Sequence, residues 1–132
     1  MKRWTLALIV LTAAALLTWI AIAQAPDGKL HIYFLSVDHG QGVLIRTPSG
    51  RFALIDGGSR PSELLTALGR HLPFWERTLH AVVATHHGPT ALAAQLDVYR
   101  RYQALTVIAP PPAGRPGPLY ESWTAVLAEQ GI

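Results

Sequence analysis

The residues able to do chemistry are few and clustered. His86-His87-Gly88-Pro89-Thr90 follows the apolar run Leu79 to Ala84, Asp56 stands in Leu54-Ile55-Asp56-Gly57-Gly58, and Asp38-His39 precedes Gly40-Gln41-Gly42. Imidazoles and carboxylates at strand ends are the donor types that hold zinc or another divalent metal, and a bound metal turns water into a nucleophile at neutral pH. His86 and His87 are the metal candidates, although a metal on these two alone would be held weakly, because adjacent residues leaving a strand face opposite ways. The competing reading is a polar loop with a histidine hydrogen-bonded to backbone. Asp56 either supports such a site from behind or closes an Asx-type turn through Gly57 and Gly58. Asp38 flanks a glycine turn whose amides could take an anion, or is only part of the turn. With 0 cysteines, thiolate metal sites, disulfide scaffolds and cysteine nucleophiles are excluded.

Arg46, Arg51, Arg60, Arg70, Arg77, Arg100 and Arg101 could contact phosphates, but they are spread over separate segments, as solvated surface cations are. A net charge of +3 in 132 residues does not argue for nucleic-acid binding by itself. His31, His71 and His80 have no partner spacing.

The elements that would position these residues follow from hydrophobic patterning. Leu30 to Val37 is apolar on both faces and reads as a strand buried on each side. Val43 to Thr47 and Phe52 to Ile55 read as strands joined by the hairpin turn Pro48-Ser49-Gly50. Pro61 suits the first turn of a helix capped by Ser59, with Leu64, Leu65 and Leu68 on one face to about Leu72. Leu79 to Ala84 is a fourth strand and Leu105 to Ala109 a fifth. Between them lies a helix, Thr90 to Tyr102, carrying Leu92, Leu96 and Tyr99 at i, i+4 and i+7. Pro110 to Pro118 is loop, and Leu119 to Glu129 is a last helix. A hairpin followed by alternating strands and helices predicts an α/β fold, a mixed sheet with helices on its faces. Few strands are present, so the sheet looks unfinished, and its exposed edge calls for a longer polypeptide or a partner chain.

Ahead of these elements, Lys2 and Arg3 precede an uncharged run from Trp4 to Ala23. Twenty helical residues at 1.5 Å each span about 30 Å, the thickness of a hydrocarbon core. Trp4 and Trp19 lie where indoles favour the interface. The run exceeds the apolar core of a signal peptide, and Pro26 directly follows the cleavage-like Ala23-Gln24-Ala25, so an anchor is preferred to a cleaved signal. The positive residues hold the N-terminus in the cytoplasm, which predicts a single-pass protein of the cell membrane with residues 26–132 outside the cytoplasm. The division expected is residues 1–25 as transmembrane anchor (or signal peptide) and 26–132 as a separate domain.

Four segments, in order, carry a family resemblance. FLSVDHGQGVLIRTPSGRFALIDGG (Phe34 to Gly58), LPFWERTLHAVVATH (Leu72 to His86), the helix and strand to Ala109, and the proline-rich loop with LYESWTAVLAEQGI are similar to the metallo-β-lactamase-fold domain of the ComEC-type competence proteins. Those are membrane proteins associated with uptake of transforming DNA, in which this domain follows membrane-spanning segments. The match covers the N-terminal half of the family's domain, a partial αββα fold. The resemblance implies a two-metal hydrolytic site whose first motif is H-x-H-x-D-H. Here His86 matches the first ligand, while the others fall on Gly88, Thr90 and Ala91, and the acid ending the family's glycine-glutamine-glycine turn falls on Val43. His86-His87-Gly88 is also similar to a later HHGS motif of the family. The expectation is a non-catalytic ComEC-like domain or an incomplete fragment, with membrane, DNA and a missing C-terminal half or partner chain as its partners. The alternative is part of an active metal-dependent hydrolase or nuclease whose remaining ligands lie elsewhere, and a third reading is an anchored module with no link to DNA.

Overall fold

A computed structural model describes residues 3–112 and 114–132; Lys2 of the N-terminal charge pair and Ala113 of the proline-rich segment lie outside the described residues. The first helix, α1, runs from Arg3 to Ala23 without an internal glycine or proline. Its 21 residues extend about 32 Å, and none is buried. The hydroxyls of Thr12 and Thr18 donate back to the carbonyls of Leu8, Ile9 and Ala14, so both are satisfied within the helix. It is long and apolar enough to cross a membrane.

The rest of the chain is one main sheet under one layer of helices. Strands β1 (His31–Leu35), β2 (Gly42–Arg46) and β3 (Phe52–Asp56) form an antiparallel meander. The β2–β3 turn closes where expected: the Gly50 N–H donates to the Thr47 carbonyl, and Gly50 has φ +80°, a conformation glycine takes without strain. Helix α2 (Pro61–His71) then leads to β4 (Thr78–Leu79) and β5 (Ala81–Val83), helix α3 (Pro89–Arg101) to β6 (Gln103–Ala104) and β7 (Val107–Ile108), and α4 (Pro118–Gln130) ends the chain. The main sheet has the order β1-β2-β3-β5-β7, with β3, β5 and β7 parallel; β4 and β6 make a small separate parallel ladder. The two crossovers β3-α2-β5 and β5-α3-β7 step in the same direction, so a common handedness puts both helices on the same side. There Leu44, Leu54 and Val82 of the sheet pack with Leu64, Leu68, Leu92, Val98 and Trp123 of the helices.

Four expectations change. The sheet was expected to carry helices on both faces, but among the described residues α2, α3 and α4 form one layer against one face. The first strand was expected to be buried on both sides; β1 is an edge strand with Ile32 and Phe34 52% and 82% exposed, because among the described residues no element packs over that face. Ser59 was expected to cap α2, but the N-cap is Arg60, with no side-chain cap bond, and Pro61 takes the first helical position. The expected fourth strand is broken in two, and the expected fifth is shortened to β7, with β6 lying just ahead of it. At His80 the backbone N–H turns aside to the Phe52 carbonyl, so Leu79 enters the core beside β6 while Ala81 to Val83 joins the main sheet.

Candidate functional site

Three loops meet at the C-terminal ends of β3 and β5: residues 38–42, 56–58 and 84–90. Glycines permit their approach. A Cβ on Gly40 would lie 2.7 Å from the Gly58 Cα, and one on Gly58, at φ +77°, would lie 2.9 Å from Val37. The Gly58 N–H donates to the Thr90 carbonyl at 3.0 Å, tying the Asp56 loop to the first turn of α3.

Asp56, itself at φ +52°, is the acceptor at one end of a chain of hydrogen bonds. Its carboxylate accepts from the Thr85 N–H at 2.8 Å and the Thr85 hydroxyl at 2.6 Å, reaching across to the neighbouring loop instead of to the amides of its own turn. Having donated its proton to Asp56, the Thr85 oxygen accepts from His86 Nδ1 at 3.0 Å. That leaves Nε2 as the acceptor for the Thr90 hydroxyl at 2.8 Å, a tautomer fixed by the network. Both nitrogens of His86 are thus engaged by hydroxyls.

His87 points elsewhere. Its Nε2 donates to the Pro110 carbonyl at 2.8 Å, and its ring meets Tyr120 edge-on at 4.8 Å. A cavity of about 250 Å³ opens there, walled by His87, Pro89, Pro112, Arg115 and Tyr120. The two histidines therefore separate, as adjacent residues leaving a strand do.

Asp38 is held on the other side of the cleft. Its carboxylate pairs with Arg60 at 3.1 Å, and its backbone N–H donates to Glu63. The anion taken by this glycine turn is thus a side chain of α2. Of the remaining arginines, Arg46 donates to the carbonyls of Gln24 and Ala25 and lies over the Phe52 ring, and Arg100 pairs with Asp97. Arg77, Arg100 and Arg101 line an open basin of about 400 Å³ at the far end of α3. In the linker, Asp27 is held below the usual carboxylate range by the Lys29 N–H and then by His31.

Among the described residues no three His, Cys, Asp or Glu side chains come together to hold a metal. The donor set fits a hydrolytic metal centre poorly: His86 is bonded on both edges, His87 faces the proline-rich loop, and Asp56 reaches the imidazole only through Thr85. Chemically, the arrangement is a clamp that joins the ends of β3 and β5 to the start of α3. Sequence reasoning passed over Thr85 and met Thr90 only as the residue standing where the resemblance asks for an acid, yet their hydroxyls complete the clamp. The available signal was their spacing, one residue before and four after His86.

No family model and no curated protein matches the chain. Among solved structures it is similar to one described as Rm3 metallo-beta-lactamase, with TM-score 0.46 and 23% identity over 57% of this chain and 28% of that one. It is also similar to one described as a peroxy diiron species of the chemotaxis sensor ODP, with TM-score 0.48 and 20% identity over 61% of this chain and 34% of that one. The chain thus spans about a third or less of each of these proteins.

Proposed function

We propose that this chain is a membrane-anchored, ComEC-like metallo-β-lactamase-fold domain with no hydrolytic activity of its own, serving a binding role beside a DNA-uptake assembly. In this reading α1 spans the cell membrane with its N-terminus in the cytoplasm, and the domain stands outside. The open face of the sheet receives a second sheet, from a C-terminal half or from a partner chain.

One observation carries the non-catalytic reading. Where the resemblance asks for an acid and an imidazole to complete a metal site, the chain has Thr90 and Ala91, and the Thr90 hydroxyl occupies the His86 nitrogen a metal would need. The resemblance of the four segments supports the family, and the length and apolarity of α1 support the anchor.

The test is metal content and phosphodiester hydrolysis of the full chain, purified in mild detergent and offered zinc, beside its His86→Ala variant. The expected outcome is zinc well below one equivalent and hydrolysis equal to that of the variant. Stoichiometric zinc with hydrolysis abolished by His86→Ala would overturn the reading. For the DNA role, binding to single- and double-stranded DNA that weakens as salt rises is expected. No binding at low salt would leave an anchored module without that role.

A further inference from the structure

We propose that Phe74 and Trp75 form a second membrane contact, seating the domain on the same bilayer surface from which α1 emerges. This rests on reading α1 as a membrane span.

The segment between α2 and β4 begins with Leu72, buried in the core, and then turns outward through Pro73. Phe74 and Trp75 follow, 65% and 47% exposed, packed edge-to-face on each other with centroids 4.7 Å apart. Two large rings held out on a loop are unfavourable in water and favourable at a lipid interface.

Their position selects the lipid. Trp75 and Ala21 line the same cavity, and Pro73 also lines a second one with Ala23. The aromatic loop therefore lies alongside the last turn of α1. Ala21 is two residues beyond Trp19, about 3 Å along the helix axis. Trp19, 72% exposed, marks the interface end of the span, so Trp75 lies near the same depth. The domain is also held at this height. The Arg46 guanidinium donates to the carbonyls of Gln24 and Ala25, both at 2.9 Å, directly where α1 ends. Cations flank the loop: Arg70 lines the cavity that Ala23 enters, and Arg77 follows Trp75 by two residues. Arg77 donates one N–H to the Glu76 carbonyl at 3.1 Å, but among the described residues neither arginine has an ion-pair partner, which leaves both charges for lipid phosphates.

Because the chain has no cysteine, single spin labels can be placed without altering a native thiol. The full chain is reconstituted in phosphatidylcholine vesicles with roughly a quarter phosphatidylglycerol, to supply anionic headgroups. Labels go at Phe74→Cys, at Trp75→Cys as an independent second site, at Val10→Cys within α1, and at Glu121→Cys on exposed α4. Accessibility to oxygen against a water-soluble nickel chelate reads the depth of each. The expected result is a severalfold higher oxygen-to-chelate ratio at 74 and 75 than at 121, with 10 higher still. Labels at 74 and 75 as aqueous as 121, with 10 in lipid, would overturn the contact while leaving the anchor intact. A label at 10 that is also aqueous would overturn the anchor, and the contact with it.

Discussion

Hydrogen bonds converge on Gln95, a polar side chain sealed in the core. Its Oε1 accepts from the Tyr99 hydroxyl at 3.2 Å and the Trp123 indole N–H at 3.0 Å, while its Nε2 donates to the Val83 carbonyl at 3.2 Å. One side chain thus joins α3 to α4 and to β5. Gln95→Leu would strand these partners in the core and is expected to lower stability by about 3 kcal/mol. Urea unfolding of the full chain in detergent measures this, and a loss under about 1 kcal/mol would count against the network. The same site sets an alkaline limit. Burial pushes the Tyr99 phenol well above its ordinary value, against a smaller opposing effect of Trp123. Unfolded tyrosine loses its proton near pH 10, so this contribution is complete below about pH 10 and is lost as pH rises toward the folded value. Tyr99→Phe should abolish that part of the loss between about pH 10 and 12; an unchanged pH profile would refute it. At this scale the sequence disclosed where His86, His87, Asp56 and Asp38 stand in the chain, but not what they hold. Their partners Thr85, Pro110 and Glu63 matter through tertiary approach, and Gln95 sits unmarked beside an ordinary helical stripe.

At the scale of elements, the two glycines Gly58 and Gly69 make opposite demands. Gly58 is left-handed, and an added Cβ would meet Val37 at 2.9 Å; Gly69 lies in α2 with nothing within 4 Å of the same position. Gly58→Ala should therefore cost about 2 kcal/mol through backbone strain and crowding, while Gly69→Ala should gain about 0.5–1 kcal/mol by helix propensity. Unfolding midpoints of the two variants measured together decide this, and shifts of the same sign would contradict the loop geometry. The hairpin at Pro48-Ser49-Gly50 and helices α2, α3 and α4 were legible because each has a local cause: a turn tripeptide, an apolar stripe, a proline at the first helical position. The breaks that create β4 and β6 were not. They depend on the His80 N–H finding Phe52 and the Leu105 N–H finding Leu79, bonds between residues distant in sequence.

Across the whole molecule, the ends of the main sheet have different uses. The β2–β3 turn and the start of β3 meet the end of α1, while Asp56 and the loop after β5 lie at the opposite ends of their strands. A five-residue strand is about 17 Å long, so the His86 clamp stands that far from the helix end, facing away from it. The sheet's two faces differ as much. Beneath the helices it is packed; on the other side the registers align Ile32, Ile45, Ala53 and Ala81 in one row and Phe34, Val43, Ile55, Val83 and Ile108 in the next. A mixed sheet of few strands was legible, but its openness was expected at an edge. That this whole face is apolar emerges only once the register is known, because alternation along each short strand does not say which side the helices take. An apolar, helix-free sheet face of this kind drives association. The full chain in detergent is therefore expected to self-associate as its concentration rises. The double variant Phe34→Asp, Ile108→Asp should stay monodisperse, because both side chains are more than half exposed on that face, at 82% and 54%. Its unfolding free energy should remain within about 0.5 kcal/mol of the parent, since charges placed in solvent leave the packed side untouched. Equal association of parent and variant in sedimentation would move the sticky surface elsewhere, and a large loss of stability in the variant would mean that these side chains are already covered.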